Sequence, residues 1–155
     1  MACLPITGTA KKRRKKMDKR SLILKIAAVF EMIDGILAAI FGAIGLAASG
    51  LLAENPDALE GTPVTVPMIA GGSGFLVFMG ILSVVIGILA WRASKDPAKA
   101  KSVLIAAGVM LAIQVVVQAI NIVNGSVSVP GLTNVLFTAC VVGAAYSLKE
   151  EAVSK

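Results

Sequence analysis

The sequence has no histidine, only two cysteines, one tryptophan and one tyrosine. Without imidazoles, most zinc, haem and histidine-dependent acid–base chemistry is excluded. The few acids are not grouped at metal-ligand spacing, so neither a metal nor a cofactor is expected. Cys3 and Cys140 make no motif. Cys3 is expected on a reducing side and Cys140 inside an apolar stretch, so no structural disulfide is expected. Charge is missing over long distances as well: Ser102 through Leu148 contains no charged residue, and Lys25, near the start of the first apolar stretch, is the one basic residue inside any of them.

What remains is hydrocarbon. Of the 155 residues, 57% are hydrophobic, and the mean hydropathy of +0.87 is far above that of a soluble domain. Four apolar stretches stand out, over residues 22–52, 68–91, 102–123 and 131–148. A helix rising about 1.5 Å per residue needs about 20 residues to cross a hydrocarbon core of about 30 Å. Each stretch meets or nearly meets that length. The expected fold class is therefore all-α: a polytopic membrane protein with four transmembrane helices in an antiparallel, left-handed bundle. Residues 1–21 form a basic tail, too short and polar to fold alone and expected to be disordered. Residues 149–155 form a short C-terminal tail, and no separate catalytic domain is expected.

The net charge of +6 could suggest nucleic acid, but its placement argues against that. Lys11 to Lys16, Lys19, Arg20 and Lys25 precede or open the first span. Arg92, Lys95, Lys99 and Lys101 fill the second loop, and Lys149 and Lys155 follow the last span. The first loop, residues 53–67, carries only Glu54, Asp57 and Glu60, and the third carries no charge. Basic residues stay on the cytoplasmic side, so both termini are expected inside. Trp91 and Tyr146 fall at the inner ends of their spans, where amphipathic rings favour the headgroup layer.

The block Lys11–Arg20 either enforces this topology or binds anionic lipid, at about 1 kcal/mol per basic residue. A start at Met17 would leave only a short basic flank. Leu4-Pro5-Ile6-Thr7-Gly8 spells a sortase-type signal, but such signals lie near a C-terminus on the outer face, so coincidence is the expected reading. The first apolar stretch is also too long for a cleavable signal peptide.

Small residues recur at alternating steps of three and four, with Glu31 filling one gap. Gly35, Gly42 and Gly45 lie on the first span with Ala28, Ala38 and Ser49. Gly80 and Gly87 lie on the second with Ser73, Ser83, Ala90 and Ser94. Gly143 lies on the fourth with Thr133, Cys140 and Ser147. Such lines allow close helix approach, and a period near 3.5 fits left-handed crossing. Chance alone would also produce some of them in a chain with 15 glycines.

Gln114, Gln118 and Asn121 share one face of the third span, and Asn134 with Thr138 offers a matching polar pair on the fourth. In hydrocarbon these amides should point inward. They serve either as hydrogen-bonded glue, at about 0.6 kcal/mol per bond, or as a polar lining for a small ligand. Glu31 and Asp34, three apart on the first span, form a candidate proton or cation site, since an intramembrane carboxylate is a functional candidate by default. Depth decides. The uncharged run from Gly35 to Ala53 could cross alone, leaving both acids at the inner interface; a core starting at Ile26 would bury Asp34 near the midplane. The interfacial placement is the one expected.

The stretch Lys25–Gly45, KIAAVFEMIDGILAAIFGAIG, resembles the first span of small bacterial four-helix membrane proteins in its lysine, isoleucine-rich helix and regular glycines. That resemblance implies a bacterial inner membrane and no particular activity. Four spans and an acid in the first are also similar to the small multidrug resistance transporters, in which a glutamate exchanges protons for a cationic substrate. Glu31 is the position that would carry that role. The chain departs from that family in its one-sided charge and in keeping its only Trp and Tyr at span ends.

The expectation is a non-enzymatic structural or accessory membrane protein acting through helix packing, with a second copy or another membrane protein as the candidate partner. The alternative is a proton- or cation-coupled transporter. Protein beginning at Met17 should insert with both termini still cytoplasmic, as read by reporter fusions at each end. A reversed orientation would make the block Lys11–Lys16 the topology determinant.

Overall fold

A computed structural model describes residues 7–125 and 129–153, and every element among them is helical. Four long helices are present: α1 (Thr7–Glu54), α2 (Val66–Lys95), α3 (Ala100–Val123) and α4 (Val129–Val153). Four segments, Lys19–Glu54, Val66–Lys95, Pro97–Val123 and Gly131–Glu150, are each long and apolar enough to cross a membrane. The sortase-like stretch at residues 4–8 lies largely outside the described residues.

Local chemistry sets the boundaries. α1 stops at Glu54 because Pro56 pushes Asn55 out of helical geometry, to φ −130° and ψ 69°. A short 3-10 turn, Pro56–Leu59, follows, and Gly61 reverses the chain at φ +79°. After α2, Asp96 adopts an extended conformation and its carboxylate accepts the Ala98 N–H at 3.2 Å. Asp96 therefore caps the 3-10 turn Pro97–Lys99, which leads into α3, rather than capping α3 itself. α3 ends where the Gly125 N–H bonds the Ile122 carbonyl at φ +74°, a left-handed C-terminal stop.

Two expected boundaries are corrected. The segment expected as a disordered tail over residues 1–21 is helical from Thr7 onward. Lysine and arginine are good helix formers, and a helix already nucleated in the first span extends at little cost per residue. The C-terminal end likewise stays helical to Val153. Elsewhere α2 opens at Val66 and α4 at Val129, with Pro130 in the first turn, where its missing N–H breaks no helical bond.

The chain divides into two compact units. One is Glu31–Val85. Here α1 and α2 run antiparallel, since Glu31 meets Ser83, Gly35 meets Gly80 and Gly42 meets Ser73. Glu31, Gly35, Gly42 and Ser49 are buried on α1, and Ser73, Met79, Gly80 and Ser83 on α2. The two backbones touch. A Cβ on Gly35 would stand 2.6 Å from the Gly80 carbonyl oxygen, and one on Gly80 would stand 2.6 Å from the Ala39 nitrogen. A Cβ on Gly42 would come within 2.7 Å of the Ser73 carbonyl oxygen, and Gly45 faces the Ser73 side chain.

The other unit comprises residues up to Phe30 and from Ile86 onward. Its core is Leu24, Ala28, Ala90, Ala93, Val103, Ala107, Met110, Thr138, Val141, Ala145 and Leu148. α3 and α4 pack as an antiparallel hairpin in which the Gln118 amide lies against Gly131. At the end opposite that turn, the Arg20 guanidinium donates to the Ser147 carbonyl at 3.1 Å and the Ser21 hydroxyl to the Ser94 carbonyl at 2.6 Å. Ser94 lies in the last turn of α2, where carbonyls lack helical donors. Phe30 stacks on Phe137 with ring centres 5.6 Å apart.

The small-residue line expected on α4 is the one that fails. Thr133, Cys140 and Gly143 are exposed, and nothing lies within 4 Å of a Cβ placed on Gly143. The buried face of α4 is instead Thr138, Val141, Ala145 and Leu148. That face continues Asn134, so a polar pair and larger apolar side chains set the contact, not the glycine.

Replacement of Gly80 by alanine should therefore lower the unfolding midpoint in detergent, since forced repacking costs about 1–3 kcal/mol. Gly143→Ala should leave it unchanged or raise it, because alanine gains up to about 1 kcal/mol in helix propensity. Equal responses at the two sites would contradict the packing described.

Candidate functional sites: a buried carboxylate and an amide face

Glu31 is 3% exposed. Its depth within the protein follows from its place in the small-residue line of α1: one turn further along is Gly35, where α2 comes into backbone contact. The carboxylate is thereby enclosed between two helices. Ser83 of α2 answers it, donating its hydroxyl to Glu31 Oε1 at 3.3 Å. Asp34, a turn further along α1, is half-buried. The sequence holds no lysine or arginine between Ile26 and Trp91, so neither helix of this unit carries a counter-charge between those points. Ser83 was legible only as a small residue; its hydroxyl opposite an acid follows from the antiparallel register, which a single helix pattern does not reveal.

Such a site can hold a proton, or share one between a carboxyl and a hydroxyl. It has little room for more. Beside the seam an open groove of about 400 Å³ runs over Ile36, Ile40, Ile81 and Val85, with Ala39 and Ala43 in its lining. Every side chain lining it is apolar, so it offers hydrocarbon contact and no polar route to Glu31. Among the described residues, no three His, Cys, Asp or Glu side chains come together as a metal site.

The second candidate lies on α3 and α4. Gln114, Gln118, Asn121 and Asn134 are half-buried and Thr138 is fully buried. α3 thus turns its amides toward α4, along the same face as the buried Ala100, Val103, Ala107 and Met110. Two acceptors stand out. Gln114 Oε1 and Gln118 Oε1 are both enclosed, and neither has a hydrogen-bond partner.

Of the expected packing glycines, Gly35, Gly42, Gly45 and Gly80 stand at helix contacts, Gly87 is buried, and Gly143 is not in contact. Polar residues at the helix ends near the termini do more than face solvent. Arg20 and Ser21 join α1 to α4 and α2, and the Lys95 ammonium lies 5.5 Å from the centre of the Trp91 ring. Lys99 pairs with Asp96 at 3.5 Å in an exposed i,i+3 bridge that adds little stability.

No family model, no curated protein and no solved structure matches this chain. The reading of its sites therefore rests on its own residues.

Ser83→Ala removes a donor from a buried acid, and leaving a buried acceptor short of a partner costs about 1–3 kcal/mol. Glu31→Gln keeps an oxygen in place to accept from Ser83. The expected order of unfolding midpoints in detergent is wild type, then Glu31→Gln, then Ser83→Ala. If Ser83→Ala leaves the midpoint unchanged, the hydroxyl–carboxylate bond is not holding the seam.

Proposed function

We propose that this chain is a structural or accessory component of a bacterial inner membrane, with both termini cytoplasmic, acting through helix–helix contacts. One observation carries the reading: the most polar group of the first span, Glu31, lies in a seam whose backbones touch at Gly35 and Gly80 and is hydrogen-bonded across it by Ser83. A carboxyl used to join two helices is placed for assembly, not for exchange with solvent. The partners that fit are the bilayer itself, anionic lipid along Lys11–Arg20, and a second copy or another membrane protein against the apolar ridge of Ile33, Leu37, Ile40 and Phe41, whose side chains are exposed. Among the described residues, no reacting constellation supports an enzyme.

A second reading, a proton- or cation-coupled transporter, is favoured by the depth of Glu31. Ser83 lies about 22 Å along α2 from Met68 and about 12 Å from Trp91, at about 1.5 Å per residue. With a core of about 30 Å, that supports a position for Glu31 inside the hydrocarbon rather than at its edge. This depth argues against the interfacial placement expected from α1 alone, because the run Gly35–Ala53 extends beyond the residues that α2 accompanies.

The two readings separate experimentally. Under the structural one, Gly42→Leu and Gly87→Leu disrupt assembly in membranes while Glu31→Gln and Asp34→Asn leave assembly intact. Under the transport one, a pH gradient drives cation flux into liposomes that Glu31→Gln or Asp34→Asn abolishes. Flux lost in either carboxyl variant, with assembly intact, would overturn the structural reading.

A further inference from the structure

Gln114 and Gln118 pose a problem that the packing of α3 and α4 does not solve. They lie one turn apart on one face of α3, in a stretch from Ser102 to Leu148 without charge. Their oxygens are the only described buried side-chain polar atoms without a hydrogen-bond partner. In a bilayer core no bulk water is at hand, so polar groups there must find partners inside the protein or in a bound molecule. An acceptor left bare is costly, and two in one hairpin would be a large fraction of a domain's stability.

We propose that this face of the α3–α4 hairpin is a water-binding site, in which water donates to Gln114 Oε1 and Gln118 Oε1. Three observations set the identity of the ligand. The acceptors are neutral amides, and no charged residue lies anywhere in the two spans, so a bare cation entering the site would have no counter-charge. The oxygens are enclosed, which suits a ligand as small as water. The surroundings are polar enough to hold water, with Asn121 on α3 and Asn134 and Thr138 on α4 completing the same face, and ordered water takes about three hydrogen bonds at such places. Opposite Gln118, Gly131 contributes no side chain, and the amide occupies the space that a Cβ there would fill. The site lies toward the turn end of the hairpin, the end nearer Asn124 and Gly125, so water has a short path in.

The sequence makes the test unusually clean, because Gln114 and Gln118 are its only glutamines. Protein labelled with 13C,15N-glutamine and reconstituted in phosphatidylethanolamine–phosphatidylglycerol bilayers gives side-chain and backbone signals from these two residues alone. In water-edited solid-state NMR, magnetisation from water should reach the Gln side-chain amides severalfold faster than the backbone amides of the same residues. Equal build-up would overturn the proposal. Gln114→Met and Gln118→Met each leave one glutamine for assignment and supply an independent readout. Loss of a water-bridged amide should lower the unfolding midpoint in detergent, whereas a midpoint raised by either change would mean that the oxygen was simply bare, and would also overturn the proposal.

Discussion

Lipid tails are as apolar as the side chains they touch, so helices in a bilayer gain nothing by hiding leucines from their surroundings. Attraction has to come from close contact and from hydrogen bonds. In the unit formed by Glu31–Val85, closeness comes from glycine: the α1 and α2 backbones approach until a methyl group on Gly35, Gly42 or Gly80 would collide with backbone atoms of the other helix. The remaining features of this hairpin depend on that approach. Serines alternate with the glycines because they are nearly as small, and the large side chains Ile36, Ile40, Phe41 and Ile44 point away because nothing bulky fits between the backbones.

The same approach explains how an acid is tolerated. Glu31 interrupts the small-residue line where α2 presents Ser83, so the carboxyl enters a seam that already has a donor for it. Removed from that seam and turned to hydrocarbon, a carboxylate at a helix centre would cost about 2.5–3.5 kcal/mol or more. The other unit uses different means. Its core is built from Val103, Met110, Val141 and Leu148 rather than glycine, and its polar contributions come from amides on α3 and from Arg20 and Ser21 at the opposite end.

Much of this was legible in the sequence because membrane helices have one strong period and few chemical options. Hydropathy marked four helices, and the spacing of Gly35, Gly42, Gly45 and Gly80 marked a contact face that the structure occupies. α4 misled for a physical reason. Ala139, Gly143, Ala144 and Ala145 are small on every side of that helix, so small size no longer distinguishes a face. The polar pair Asn134 and Thr138 pointed to the correct one, because an amide has far more to lose in lipid than an alanine has to gain in a seam. The clasp from Ser21 to Ser94 and the bond from Ser83 to Glu31 were hidden, since each needs the register between two helices. The helical basic segment after Thr7 escaped because its polarity points to disorder, whereas helix propensity and the adjoining first span both favour order.

The central claim is backbone contact between α1 and α2 at the glycines. Glycine-selective 13C labelling in bilayers, with Gly80→Ala and Gly35→Ala used for assignment, tests it most directly. Direct contact predicts a through-space cross-peak between the Gly35 Cα and the Gly80 carbonyl carbon at short mixing times. If both signals are resolved and no cross-peak links them, the helices stand apart and the account of the seam is wrong.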